Sequence, residues 1–373
     1  MTRVAVVWPY LPAYRVAFCE RARRDLADHG VDLRLYTGHA GNERRDARTA
    51  EWHQRIPDLH IGGSAGAHLR RLPRECDLLI VEQAIKNLES YIAVAAQHGA
   101  GPAVAMWGHG RSYSTLQGAG RAAVKQWLTR RSRWFFAYTR PGADYVVAHG
   151  FPRTRITVLN NTIDTESLRA SLSAVTPAEL ARFRAGNGLS ESKTAVFVGG
   201  VDHAKDIRFL MQAAQEARRL CPEFTLLVVG AGDESVLLTP QQTSGSVRSL
   251  GRLEGKQLAT ALASARVMMI PSAIGLVAVD ALTAGLPIVT RDNLSHGPEA
   301  DYLVDGRTSR WLPAACSPAE YAQEAIQLMS DSERLSAMRA ACLIDSQDYS
   351  LDAMVETFVQ GVLAWSDIER AGL

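Results

Sequence analysis

The sequence predicts an α/β protein built from two doubly wound units, each a parallel sheet with helices on both faces. Three observations lead there. Short β-branched and apolar runs alternate with helical segments from one end of the chain to the other, the pattern of consecutive βαβ units. Several of those runs end in glycine-containing loops, where such sheets bind ligands. Charge is also divided. Residues 1–165 carry 23 Lys and Arg against 14 Asp and Glu, and the remainder carries 18 against 25. A basic half joined to an acidic half reads as two folding units, and 373 residues exceed what one core usually serves.

Taken in order, the expected strands of the first half are Arg3–Trp8, Asp32–Tyr36, Leu78–Glu82, Ala103–Trp107, Trp134–Tyr138 and Ile156–Leu159. Helices such as Tyr14–His29 and Arg121–Arg130 lie between them. A hinge is expected after Leu159–Asp164, followed by the polar helical stretch Thr176–Gly186. The second half repeats the alternation, with strands Ala195–Val198, Thr225–Val229, Val247–Leu250, Val267–Ile270 and Ile288–Thr290. Its helices are Lys205–Leu220, Lys256–Ala265 and Leu276–Ala284. In the tail, Met354, Phe358, Val362 and Trp365 recur at helical spacing. A helix with that stripe must bury it, and the first unit is the expected place.

Composition excludes several classes. An apolar share of 47% and a charged share of 21% describe a globular protein. The five cysteines are odd in number and far apart, which fits neither a disulfide frame nor a zinc site. No apolar run reaches membrane-spanning length. Met1–Trp8 turns polar too early for a signal peptide, so a cytoplasmic location is expected. No nucleic-acid motif is present and the first half is only mildly basic.

Five stretches carry chemistry. Ile270–Pro287 reads as a strand end, a small-residue turn, a short helix, a Gly285 stop and a Pro287 restart. Free N–H groups at such a turn suit a phosphate, and Asp280 could take a ribose hydroxyl pair. An ordinary strand–helix unit would look the same. Phe197–Lys205 sets two glycines after a strand and a lysine at the start of the next helix, where it opposes the dipole unless an anion offsets it. A solvated surface lysine is the bland alternative. His109, between glycines in Trp107–Arg111, is either presented to a ligand or a structural loop histidine. Gly230-Ala231-Gly232 is half of a dinucleotide fingerprint or a tight turn that lets backbone approach a ligand. Arg121–Arg133 interleaves five basic residues with Trp127 and Leu128, as a membrane-surface helix does or as a solvated face does.

Together these stretches resemble the retaining GT-B glycosyltransferases of family 4 (group 1 type), over nearly the whole chain and most strongly from Val158 to Gly306. Val158–Asp164 looks like the interdomain N-G-V-D segment. Phe197–Val201 through Lys205 is similar to the F-V-G-R-L…K-G phosphate loop. Leu227–Gly232 is similar to V-G-x-G, and Ser272–Asp280 stands where the family has two acidic residues. His296–Glu299 through Gly306 is similar to the stretch before dG-x-n-G. Pro12–Arg15 looks like the x-Y-R start of one branch, which Glu82–Tyr91 and Trp107–Arg111 also fit.

The resemblance implies two Rossmann-like domains facing across a cleft. It implies an acceptor-binding domain over 1–170, a nucleotide-sugar domain over 190–345, and a C-terminal helix over 346–373 on or near the first domain. It implies a hexosyltransferase that moves a sugar from a nucleotide-diphosphate sugar to an acceptor hydroxyl with retention, without a metal or other cofactor. Lys205 matches the lysine that neutralises the diphosphate, Asp280 the ribose ligand, and the backbone of Gly275, Leu276 and Val277 the helix terminus holding the diphosphate. Gly200, Ser272, Ile274 and Glu299 complete the donor set, with Asn161 at a less specific matching position. His109 is similar to the histidine near the donor sugar, and Tyr14, Arg15 and Arg111 are the acceptor candidates. The chain departs from the pattern at Gly200, where the family has Arg, at Ser272, where it has an acid, and at Asp280, one methylene shorter than Glu. The acceptor itself is open: a saccharide, a lipid-linked or a small-molecule glycoside. Peripheral membrane contact through Arg121–Arg133 is a further expectation. The competing expectations are an epimerase-like enzyme and a non-catalytic binder of sugar nucleotide.

Overall fold

The computed structural model describes residues 1–38, 51–56, 58–61, 64–67, 75–84, 87–97, 101–111, 119–239, 245–293 and 295–372; the Arg121 side chain lies outside this description. The chain divides into two compact units, Met1–Asp164 with Leu351–Leu373, and Thr165–Ser350.

The first unit is built on β1 (Thr2–Trp8), β2 (Val31–Thr37), β3 (His53–Arg55), an antiparallel pair β4 (Asp58–Ile61) and β5 (Ser64–Ala67), β6 (Leu78–Glu82), β7 (Ala103–Gly108), β8 (Trp134–Ala137) and β9 (Ile156–Val158). Seven of these form one parallel sheet in the order β3-β2-β1-β6-β7-β8-β9. Helices α1 (Val16–Asp28), α2 (Leu88–Ala96), α3 (Ala119–Arg131) and α4 (Arg140–Ala148) connect them. The central strands are apolar along both edges because both faces are covered. Val4, Val6 and Trp8 of β1 enter one core, while Ala5 and Val7 enter the other. Fully buried Trp107 anchors the first core, with Trp8, Phe18 and Phe358 rings 5.3, 5.5 and 5.4 Å from its own.

Phe358 comes from the C-terminal helix, Leu351–Arg370, whose Met354, Phe358, Val362 and Trp365 are all buried in this core. Burying that stripe is what ties the end of the chain to the first unit.

The second unit holds α5 (Thr165–Ser173), α6 (Pro177–Asn187), β10 (Thr194–Val198), α7 (Ile207–Leu220), β11 (Thr225–Val229), β12 (Val247–Gly251), α8 (Gly255–Ser264), β13 (Val267–Met269), α9 (Val277–Thr283), β14 (Ile288–Asp292), β15 (Ser309–Pro313), α10 (Pro318–Ser330) and α11 (Ser332–Asp345). Its six strands are parallel in the order β12-β11-β10-β13-β14-β15. Capping boxes at Thr176 and Ser317 start α6 and α10. Gly285, at φ +62°, closes α9, with its N–H on the Leu282 carbonyl and that of Leu286 on the Ala281 carbonyl.

Two expected boundaries shift. Residues 165–170 go with the second unit, because α5 begins at Thr165 and Arg169 donates to the Ser346 carbonyl and hydroxyl. Residues 346–350 also stay with the second unit, and the C-terminal helix starts at Leu351 rather than 346. In each sheet the strand order reverses beside the first strand of the unit, between β1 and β6 and between β10 and β13. Such switch points open a crevice at the carboxyl ends of the strands.

Candidate functional site

In the second unit, the loops leaving β10 and β13 flank the switch point. The β10 loop continues through Gly199 and Gly200 into a single 3-10 turn, His203–Lys205, capped by the Asp202 carboxylate on the Lys205 N–H. Lys205 therefore precedes α7 instead of opening it. The helix is capped by Asp206, which adopts the left-handed conformation and accepts from Phe209 N–H. The expected conflict between the lysine and the helix dipole does not arise, since its ammonium turns away to the Ala273 carbonyl. Burial lowers its pKa, and the carboxylates of Asp202 and Glu299 oppose that shift.

The β13 loop, Ile270–Leu276, is held from two sides. Ala273 has φ +51°, a conformation uncommon outside glycine. Ile274 N–H donates to His296 Nδ1, and His296 Nε2 donates in turn to the Arg291 carbonyl at 2.7 Å. Accepting at Nδ1 and donating at Nε2 fixes the neutral tautomer. Burial accordingly lowers the His296 pKa. Gly297 N–H closes back on the Ile274 carbonyl at 2.6 Å. The N–H groups of Gly275, Leu276 and Val277 find no partner among the described residues.

Asp280 lies one turn along α9, partly accessible but so enclosed that loss of water raises its pKa to about 7. Ser272 and Glu299 are buried, and a Glu299 oxygen sits 3.8 Å from where a Gly275 Cβ would stand. Lys205, Ser272, Ile274–Val277, Asp280 and Glu299 thus belong to one loop cluster. Gly200 joins it through Asp202, whose carboxylate would meet a Cβ there at 2.5 Å.

Gly230-Ala231-Gly232 forms a tight turn against a neighbouring loop. A Cβ on Gly230 would lie 1.8 Å from the Gly199 carbonyl oxygen, and one on Gly232 2.3 Å from that of Val201. These glycines let two protein loops touch, with Val201 N–H bonded to the Ala231 carbonyl.

In the first unit, His109 follows β7 and its ring lies 4.4 Å from Tyr138. Its neighbours were expected to expose the imidazole. His109 is partly accessible, and the glycines also serve packing: a Cβ on Gly108 would strike Gln83 and one on Gly110 would strike the Gly142 carbonyl. Burial, with Lys125 and Arg15 nearby, lowers the His109 pKa to about 3, so the ring is neutral.

Arg15 does not fit the acceptor role expected of it. It is 3% exposed, bonded to Asn161 Oδ1, and surrounded by Trp8, Tyr14, Phe18, Trp107 and Tyr138 at 5.3–6.0 Å. It is a structural cation in an aromatic cage, and Asn161 belongs to that cage. Tyr14 is 41% exposed and Arg111 half-buried, so both can meet a ligand.

Two residues escape the sequence reading. Lys125 of α3 is buried, donates to the Arg111 carbonyl at 2.9 Å, and has its pKa lowered to about 8 by burial. Glu82, ending β6, accepts from Asn87 at 3.1 Å, and burial raises its pKa. The signal for Glu82 was a carboxylate closing an otherwise apolar strand; Lys125 was read only as one basic residue of Arg121–Arg133, not as a buried cation. Among the described residues no three His, Cys, Asp or Glu converge as a metal ion would require.

Comparison with known proteins matches the same two halves. Residues 192–331 match the model described as glycosyl transferases group 1, and residues 17–167 match glycosyltransferase family 4. Glycogen synthase of Mycobacterium tuberculosis is 28% identical over 210 residues, covering 54% of this chain and 45% of that protein. The chain spans about half the length of the curated relatives it matches. The crystal structure of Anabaena HepE in complex with UDP superposes with a TM-score of 0.73 at 13% identity, over 98% of this chain and 100% of the other. A second HepE structure, in complex with UDP-glucose, gives 0.70 at 15% identity, over 98% and 100%. These establish the fold as GT-B.

Proposed function

We propose a donor, an acceptor side and a leaving-group mechanism for this chain, which belongs to the group 1 glycosyltransferases of family 4. It transfers a hexose from a nucleoside-diphosphate sugar to an acceptor hydroxyl, with retention and without a metal. The observation that carries the reading is the cluster at the second switch point: one half-buried lysine, three backbone N–H groups without partners among the described residues, and Asp280 one helical turn away. The HepE complexes make UDP-glucose the first donor to test.

In this mechanism the acceptor oxygen attacks the anomeric carbon on the face from which the diphosphate leaves. The bond to the diphosphate breaks, and its electron pair goes to the terminal phosphate oxygen, which takes the acceptor proton. Charge therefore builds on the diphosphate, where Lys205 and the N–H groups of Gly275, Leu276 and Val277 stabilise it. Asp280 accepts from the ribose hydroxyls. In the first unit, Tyr14, Arg111 and Glu82 supply the acceptor side, and buried Lys125 holds the Arg111 loop. Neutral His109 offers a hydrogen bond to a sugar hydroxyl and no proton of its own, given a pKa of about 3.

Calorimetry with UDP, ADP and GDP, followed by hydrolysis of the matching sugar nucleotide, tests this. One nucleotide should bind, and Asp280→Ala should weaken it by about 10- to 150-fold, the loss of one hydrogen bond to a charged group. Failure of all three to bind would refute the donor site, and an inverted product would refute the stereochemistry.

A further inference from the structure

The first sheet has a second charged feature, at the amino ends of its strands and so away from Tyr14, Glu82 and His109. A recess of about 500 Å³ is lined there by Gln97, Arg130, Arg131, Ser132, Arg133 and Arg155. Four of the six are arginines and none is an acid. They arrive from separate places: the last turn of α3, the turn into β8, and the short 3-10 turn Arg153–Arg155 before β9.

The recess is built rather than incidental. Gln97 donates to the Arg131 carbonyl and accepts from Val104 N–H. Ser132 Oγ caps the Thr129 carbonyl at 2.7 Å, and Arg133 N–H bonds the Val104 carbonyl at 2.7 Å. The Arg131 guanidinium lies 4.2 Å above the Trp127 ring, which sets its orientation.

Placing Arg130 and Arg131 at a helix C-terminus suits the dipole. That does not account for Arg133 and Arg155, which lie outside the helix. Several other arginines of the described chain meet carboxylates, as in Arg21–Asp352, Arg153–Asp144, Arg291–Asp206, Arg307–Asp345 and Arg310–Glu324, while Arg218 and Arg339 meet backbone carbonyls. Arg130, Arg131 and Arg133 are in no ion pair among the described residues. Like charges gathered in a concave surface focus a positive potential, and guanidinium forks match phosphate oxygens.

We infer that this recess binds a phosphate group at a site separate from the nucleotide-sugar site. The phosphate belongs either to a soluble diphosphate or to a phospholipid headgroup. Beside the recess, α3 turns Val124 and Trp127 outward at 38% and 41% exposure, while its Lys125, Gln126 and Thr129 are buried. That reversed face could reach acyl chains, and the two sources separate by experiment.

The probes are inorganic pyrophosphate, and vesicles of phosphatidylcholine with or without phosphatidylglycerol, at low salt. The full chain carries Lys205→Ala throughout, so that the second unit does not compete for pyrophosphate. Arg130→Gln with Arg133→Gln should weaken binding of one probe by roughly tenfold or more, with the melting temperature unchanged. Arg23→Gln with Arg24→Gln, the same loss of charge at exposed positions of α1, should not. Loss of pyrophosphate binding supports a soluble ligand. Loss of binding to phosphatidylglycerol vesicles alone supports the headgroup. If neither probe binds, or if the two double variants weaken binding equally, the recess is not a phosphate site.

Discussion

Replacing Lys205 by alanine tests the proposed mechanism most directly. Its ammonium is desolvated, pinned to the Ala273 carbonyl, and faced by Asp202 and Glu299. Two unit charges about 4 Å apart at an effective dielectric near 20 interact by about 4 kcal/mol. Losing one preorganised partner of a developing oxyanion costs roughly 3–4 kcal/mol in other enzymes. Both figures correspond to a fall in turnover of at least about 100-fold. The fall should exceed the loss in donor affinity, because the negative charge grows as the bond breaks. A purely structural lysine would behave differently. Ala273 is held at φ +51°, which costs about 1–3 kcal/mol for a non-glycine residue, and Lys205 could serve only to hold it there. Ala273→Gly removes that strain. If Lys205 acts on the diphosphate, adding Ala273→Gly to Lys205→Ala recovers nothing. Steady-state kinetics and nucleotide titration on the two variants decide it. Wild-type turnover in Lys205→Ala, or recovery on adding Ala273→Gly, would refute the charge argument.

Asp280, with a pKa raised to about 7 by burial, must ionise to accept two hydroxyls, so nucleotide affinity should rise roughly tenfold from pH 6 to pH 8, and calorimetry on Asp280→Asn should show a flat profile. His296 has its pKa lowered below 6.5 by burial; the stability it contributes is present above that value and lost as pH falls through the lower folded value. Donor-loop order should follow the same course, with hydrogen exchange at Ile274 N–H rising in acid and already fast in His296→Ala. Phe358→Ala removes a ring packed on Phe18, Trp107 and Phe136, and should cost about 3–5 kcal/mol in urea unfolding, confined to the transition of the first unit. Activity should survive a chelator; its complete loss would end the metal-independent reading.

What the sequence shows of this protein, and what it hides, follows from how far each signal reaches along the chain. Leu78–Glu82 and Thr225–Val229 are strands at their expected ends, because a parallel strand covered on both faces is apolar over most of its length. The tail stripe is equally local: Met354, Phe358, Val362 and Trp365 share one helix face whatever covers them. Ser309–Pro313 gave no such run. It is an edge strand, only partly buried after Ser309, and needs no apolar run. The glycines are ambiguous for a related reason. Gly230 and Gly108 are required because something comes close, and a sequence cannot name the Gly199 carbonyl and the Gln83 side chain that the fold brings there. Arg15 inverts the case: five rings around it come from β1, the turn before α1, α1 itself, β7 and the loop after β8, and only folding gathers them. His296 and Lys125 take their meaning from partners 22 and 14 residues away. Residues whose chemistry depends on who faces them are therefore the ones a linear reading loses, and they are also the ones that hold the Ile274 and Arg111 loops in place.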